Sequence, residues 1–140
     1  MRVLLDTNVL LDVIAIREPY YRYALRILDA CDRGIMEGCI AAQSFPDIYY
    51  ILRKDVPPAD RREILKALCS ICEVVALDKA KIVNALNDED FADYEDCLIM
   101  NCAAEFGAEY IITRNGADFE GSIIPAISPE DFCRVYLEEE

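Results

Sequence analysis

The sequence predicts an α/β fold, a parallel β-sheet with helices on both faces, that is, a three-layer α/β/α sandwich. Three observations predict it. Short apolar runs, β-branched in part, recur along the chain and read as buried strands. Stretches with apolar residues at helical spacing separate these runs, the alternation expected of a parallel sheet covered on both faces. At 140 residues and 54% apolar composition, the chain is long and apolar enough for a single well-buried core.

The elements follow in order. Val3–Leu5 is the first strand, and Thr7 is the expected N-cap of a short helix through Ile14. Pro19 marks the next start, and Tyr21–Arg33 carries Ala24, Leu25, Leu28 and Cys31 at helical spacing until Gly34 stops it. Gly38–Ala41 suits a second strand. Gln43–Leu52 is helical, with Pro46 tolerated in its first turn. Ala59–Ile71, behind Pro57-Pro58, is rich in helix formers. Glu73–Leu77 is a strand and Lys79–Asn87 a helix. Asp93–Phe106 is a longer helix that Gly107 ends, Tyr110–Thr113 a strand with a polar exit, and Ile123–Ile127 a further strand. Pro129–Tyr136 is a closing helix capped by Ser128. Residues 1–137 form the expected domain, and the acidic tail 138–140 is expected to fray.

Composition narrows the function. The net charge is −13, which repels phosphate backbones and argues against broad nucleic-acid binding, while it allows a local carboxylate cluster neutralised by a cation. No apolar run reaches the length of a membrane span, and no basic region precedes a signal-like stretch, so a cytoplasmic protein is expected. Seven cysteines, most inside apolar stretches, read as reduced buried thiols. Cys69-Ser70-Ile71-Cys72 has redox-motif spacing, but it ends a helical pattern rather than following a strand. A structural role is the first reading, with thiol redox or zinc chemistry as the alternatives.

Acids stand where strands end, and in open α/β sheets ligands bind there. Asp6 follows the first strand directly. Thr113-Arg114-Asn115 follows the fourth, with Asp118 shortly after. Asp47 lies about one turn into the helix after the second strand. Asp93 and Asp96 are three apart at the start of the long helix, so one face can carry both. If these four segments converge, their carboxylates repel unless a cation lies between them. Hard ions such as Mg²⁺ or Mn²⁺ take oxygen ligands, and the chain has no histidine, the commonest zinc ligand. Such an ion lowers the pKa of water and stabilises charge on a phosphoryl group, chemistry that suits phosphodiester hydrolysis. A Ser-His-Asp set is impossible, and no Walker-type or GxGxxG motif occurs.

Each acid also has an ordinary explanation. Helix starts attract acids through the dipole and free N–H groups, which serves for Asp93, Asp96 and Asp47. Asp118 can be a loop acid, and Asp12 reads as a solvated or locally paired helix residue. Glu95 is expected to face away from Asp93 and Asp96. Asp6 is hardest to explain this way, because it ends an apolar strand, and exposure to a cation is the expected reason that its charge is tolerated. Basic clusters (Arg22, Arg26, Arg33; Arg53-Lys54; Arg61-Arg62 with Lys66) read as solvated helix faces or as a rim that steers RNA. Tyr20, Tyr21, Tyr23, Tyr49 and Tyr50 suit base stacking, the core or a dimer contact.

Four pieces together resemble the PIN-domain ribonucleases, whose best-known branch is the VapC-type toxins. They are L-D-T-N-V-L-L-D at Leu5–Asp12, S-F-P-D at Ser44–Asp47, D-Y-E-D-C at Asp93–Cys97 and T-R-N-x-x-D-F at Thr113–Phe119, in the family's order across nearly the whole chain. Arg17-Glu18-Pro19 before an aromatic resembles one branch. The resemblance implies a parallel sheet of four or five strands and an acidic site for Mg²⁺ or Mn²⁺. It places Asp6, Asp96 and Asp118 on the family's metal-binding aspartates and Asp93 on an acidic variant position. Thr113, Asn115 and Asn8 fall on polar supporting positions. The family usually carries glutamate where this chain has Asp47, about one methylene shorter. The resemblance also implies an RNA substrate, a homodimer and a small antitoxin partner. Two alternatives stand beside it: a non-catalytic RNA-binding or scaffold protein with a degenerate site, and a phosphatase of another α/β class. The haloacid-dehalogenase type needs a second aspartate where Asn8 stands.

Overall fold

The computed structural model describes residues 1–137; the tail 138–140 lies outside the described residues. Five strands form one parallel sheet: β1 (Arg2–Leu5), β2 (Glu37–Ala41), β3 (Glu73–Val75), β4 (Tyr110–Ile112) and β5 (Ala126–Ile127). Their spatial order is β3-β2-β1-β4-β5, so the first strand is the central one. Val3 pairs with Gly38 on one side and Tyr110 on the other, and Leu5 lies opposite Ile112.

Seven helices cover the sheet: α1 (Thr7–Ile14), α2 (Tyr21–Asp32), α3 (Ser44–Ile51), α4 (Pro58–Ile71), α5 (Lys79–Asn87), α6 (Tyr94–Phe106) and α7 (Pro129–Tyr136). The strand period of two explains the layering. Val3 and Leu5 point into a core with Leu10, Ile27, Ile48, Leu68 and Phe132, from α1, α2, α3, α4 and α7. Leu4 points the other way, into a core with Ala85 of α5 and Cys97, Ile99 and Ala103 of α6. Three consecutive residues with no exposure thus split between two cores, which is why β1 is apolar on both faces. Gly107 ends α6 in the left-handed conformation (φ 77°), as a helix-terminating glycine should.

Some boundaries differ from expectation. β3 stops at Val75, and Ala76 and Leu77 run out of the sheet. β5 is only Ala126–Ile127. The Ser122 hydroxyl accepts from the Ile124 N–H (3.1 Å) and donates to the Ile124 carbonyl (2.6 Å), and Pro125 has no N–H. Those backbone groups are therefore unavailable for a longer ladder. Asp6, not Thr7, caps α1: its Oδ1 accepts from the Thr7 N–H at 2.8 Å. The Thr7 hydroxyl instead meets the Ser44 hydroxyl (2.7 Å), tying the starts of α1 and α3 together. Among the described residues, no helix is long and apolar enough to cross a membrane.

Candidate active site

Register builds the centre of the site. Because Leu5 lies opposite Ile112, the residues that follow, Asp6 and Thr113, leave the sheet side by side. The Asp6 N–H still bonds the Ile112 carbonyl (3.0 Å). The Thr113 hydroxyl donates to Asp6 Oδ2 (2.8 Å). It accepts from the Asn8 amide (3.1 Å) and from the Asn115 N–H (3.1 Å). Asn8 also donates to Asp6 Oδ2 (3.1 Å), and its carbonyl oxygen accepts from the Arg114 N–H (3.1 Å). Thr113 thus spends its one proton on Asp6 and both acceptor positions on its neighbours. Three of the residues expected to support the site form one network around the aspartate.

Asp6 differs from expectation in one respect. It is largely buried, only 8% exposed, although it lines the cavity between α1, α3 and α6. Burial raises its pKa, with a smaller push from the Asp118 charge, while the bonds from Thr113, Thr7 and Asn8 pull the other way. Its charge is tolerated because three donors meet it.

Asp96 stands in the first turn of α6. Asp93 is that helix's N-cap and accepts the Asp96 N–H (3.0 Å). The Asp96 carboxyl is pushed up to about 7, first by burial and then by the charges of Asp93, Asp6, Asp118 and Glu95. The carboxylates just past β1, at the start of α6 and on the 3-10 turn Gly116–Phe119 therefore feel one another. Among the described residues, however, no three acid or thiol side chains converge tightly enough to hold an ion as placed.

A cavity of about 700 Å³ opens here, lined among others by Asp6, Asn8, Asp47, Asp96 and Asn115. Asp47 reaches it from α3 as an exposed side chain. Asp118 is exposed on its turn and acts on both of them. Asp93 acts as cap and as neighbouring charge.

The cavity wall includes residues that sequence reasoning left out. Glu95 lines it from the first turn of α6, and its charge is one of those that raise Asp96. Gln43 lines it too, and both polar atoms of its amide are buried without a partner. The signal for Gln43 was available: it lies two residues beyond β2, at a strand's carboxyl end. Arg17 is a third.

Asp12 is not solvated, and beside its local partner Arg17 (4.0 Å) it has a distant one. It is fully buried, and Arg114 grips it at two points. Arg114 also stacks on Tyr20, 4.0 Å from the ring centre. Other tyrosines are likewise covered by arginines: Tyr49 by Arg61 at 4.0 Å and Tyr50 by Arg53 at 3.7 Å.

The fold is shared with solved structures. A toxin–antitoxin complex from Klebsiella pneumoniae is similar at 24% identity with a TM-score of 0.66, over 91% of this chain and 97% of that one. VapBC2 from Rickettsia felis, bound to a DNA fragment from its promoter, is similar at 15% identity with a TM-score of 0.65, over 91% and 98%. VapBC-1 from nontypeable Haemophilus influenzae gives 14%, 0.65, 93% and 99%. At these identities the likeness is one of fold. No curated protein matches the chain. The family model of the PIN domain matches residues 2–117, from the first residue of β1 into the turn that carries Asp118, and the chain belongs to the PIN-domain family.

Proposed function

We propose that this chain is a divalent-metal-dependent endoribonuclease and the toxin of a toxin–antitoxin pair. The observation that carries the reading is the Asp96 carboxyl. It is held up to about 7 by burial and by three further aspartates, at a cavity where strand ends meet. Negative charge gathered in one place is what a hard cation neutralises. The donors fit such an ion in kind, since Asp6, Asp96 and Asp118 offer only carboxylate oxygen.

Those three residues would hold Mg²⁺ or Mn²⁺, with Asp47 as a fourth carboxylate on the cavity wall. When bound, the ion supplies Lewis-acid stabilisation of phosphoryl charge and a lowered pKa for water. The chain's own residues do the rest. Thr7, Asn8 and Thr113 fix the orientation of the Asp6 carboxylate. Asn115 lines the cavity and can orient a phosphate oxygen through its amide. Arg17 lines the same cavity and supplies positive charge against the RNA backbone.

Membership of the PIN-domain family supports a nuclease, and the toxin–antitoxin complexes of the same fold support a small antitoxin partner. A homodimer and a cytoplasmic location belong to the same proposal. The test is cleavage of single-stranded RNA by the purified chain with Mn²⁺. Cleavage should stop with a chelator and in Asp6→Asn and Asp96→Asn, with circular dichroism showing both variants folded. Cleavage that survives the chelator or Asp96→Asn overturns the assignment. Among the described residues no acid cluster is tight enough to hold an ion as placed, which favours a second reading: an RNA-binding protein with a degenerate site. RNA binding without cleavage under any divalent ion would select it.

A further inference from the structure

Cys31 lies near the end of α2 and Cys72 directly follows α4, and the fold brings both thiols over one glycine of β2. A Cβ built on Gly38 would stand 2.7 Å from Cys31 Sγ and 3.2 Å from Cys72 Sγ. The first distance is too short for any real side chain. The missing side chain at position 38 is therefore what leaves room for the two sulfurs together.

The largest influence on each thiol is the other. It favours the Cys31 thiolate and, together with burial, holds Cys72 protonated. Other buried thiols lack this arrangement. Burial pushes Cys39 up to about 12 and both Cys97 and Cys102 up to about 11. Small molecules also have a way in. Cys31 and Cys72 line a cavity of about 500 Å³ that the exposed Cys69 lines as well. Arg2 and Glu37, the first residues of β1 and β2, line it too, which puts it at the amino ends of the strands, opposite the carboxylates.

We propose that Cys31 and Cys72 are a redox pair that a hydroperoxide converts to a disulfide, a modification site at the pole opposite the carboxylate cavity. First the Cys31 thiolate attacks one peroxide oxygen. The O–O bond breaks, Cys31 becomes a sulfenic acid, and the leaving oxygen takes a proton from solvent. Then the Cys72 sulfur attacks the Cys31 sulfur. The S–S bond forms, the S–O bond breaks, and water leaves with the Cys72 proton. The two thiols lose two electrons and the peroxide gains them. The bridge ties the end of α2 to the end of α4 and constrains the unfolded chain between residues 31 and 72. Core packing alone explains why the thiols are buried, but not why both crowd onto one glycine.

The test treats the full chain with hydrogen peroxide, blocks free thiols, digests without reduction and maps the peptides by mass. The expected product is an intramolecular Cys31–Cys72 bridge that dithiothreitol reverses. It raises the unfolding temperature by several degrees and forms equally in Cys69→Ser. Cys72→Ser should instead carry added oxygen on Cys31. If that variant does not fold, the map of the unsubstituted chain decides. A bridge from Cys69, a bridge only between molecules, oxygen added to either thiol without a bridge, or no reaction would overturn the proposal. The readout is covalent and needs no RNA, so its outcome is independent of the ribonuclease reading.

Discussion

Asp12 and Arg114, 102 positions apart in sequence, form a two-point ion pair, Nε to Oδ2 at 2.6 Å and an Nη to Oδ1 at 3.1 Å. The carboxylate has no exposed surface, and the guanidinium is held between it and the Tyr20 ring. The pair pins the segment after β4 to α1, one residue beyond Thr113 and one before Asn115. Removing one partner strands a buried charge. Arg114→Ala should cost about 3 kcal/mol, the low end for breaking a buried pair. Arg17, 4.0 Å from the same carboxylate, limits the loss. Urea unfolding measures it. Near-neutral stability would mean that the pair does not fix this segment.

The Thr113 hydroxyl links Asp6, Asn8 and the Asn115 backbone. Thr113→Val keeps the shape and removes all three bonds. Buried Asp6 then loses the donor that most lowers its pKa. Groups that orient a metal-binding residue typically matter by 10–100-fold in affinity or activity. We expect Mn²⁺ affinity to fall by about 10-fold or more on this scale, read by calorimetric titration, with the fold retained by circular dichroism. Unchanged affinity would separate Asp6 from the metal.

The raised Asp96 carboxyl makes a prediction about pH. Its folded pKa, about 7, lies above the ordinary 3.8, so the folded chain holds a proton that the unfolded chain releases. Its contribution to stability is full below about 3.8 and is lost as pH rises through about 7. Metal-free protein should therefore melt at a lower temperature at pH 8 than at pH 6, and Asp96→Asn should flatten the difference. Because a metal needs the deprotonated form, Mn²⁺ should bind more tightly at pH 8 and release protons at pH 6. A melting temperature independent of pH in this window would show that the carboxylates do not press on Asp96.

The sequence reveals the alternation of strands and helices because burial on both faces leaves apolar runs, and helical spacing marks what lies between. It does not reveal that β1 is central. Strand order is decided by hydrogen bonds between distant segments, and these leave little trace in local composition. An acid at a strand end singles out Asp6, and two acids three apart at a helix start single out Asp96. The partner of Asp12 is invisible, since any of fourteen basic residues fits equally well until the chain is folded. Which acids of the first α6 turn line the cavity is hidden as well, because the packing of the whole helix sets the direction its start faces. The burial of Asp6 is also hidden, because a charge beside apolar residues suggests exposure. Three local donors provide the other solution.

Gln43 supplies the last prediction. Its amide is buried on the wall of the carboxylate cavity with both polar atoms unpartnered. An unmade hydrogen bond at a buried polar group costs about 1–3 kcal/mol. Gln43→Met keeps the length and removes the polar atoms. It should raise stability by about 1 kcal/mol on that scale, read by urea unfolding. If the amide is held in reserve for a nucleotide, the same variant should bind single-stranded RNA several-fold more weakly, measured without metal to prevent turnover. A variant that is both more stable and a poorer binder would identify Gln43 as a contact residue whose cost to the free protein is offset on binding. Stability gained with RNA affinity unchanged would leave the unpartnered amide without a functional reason.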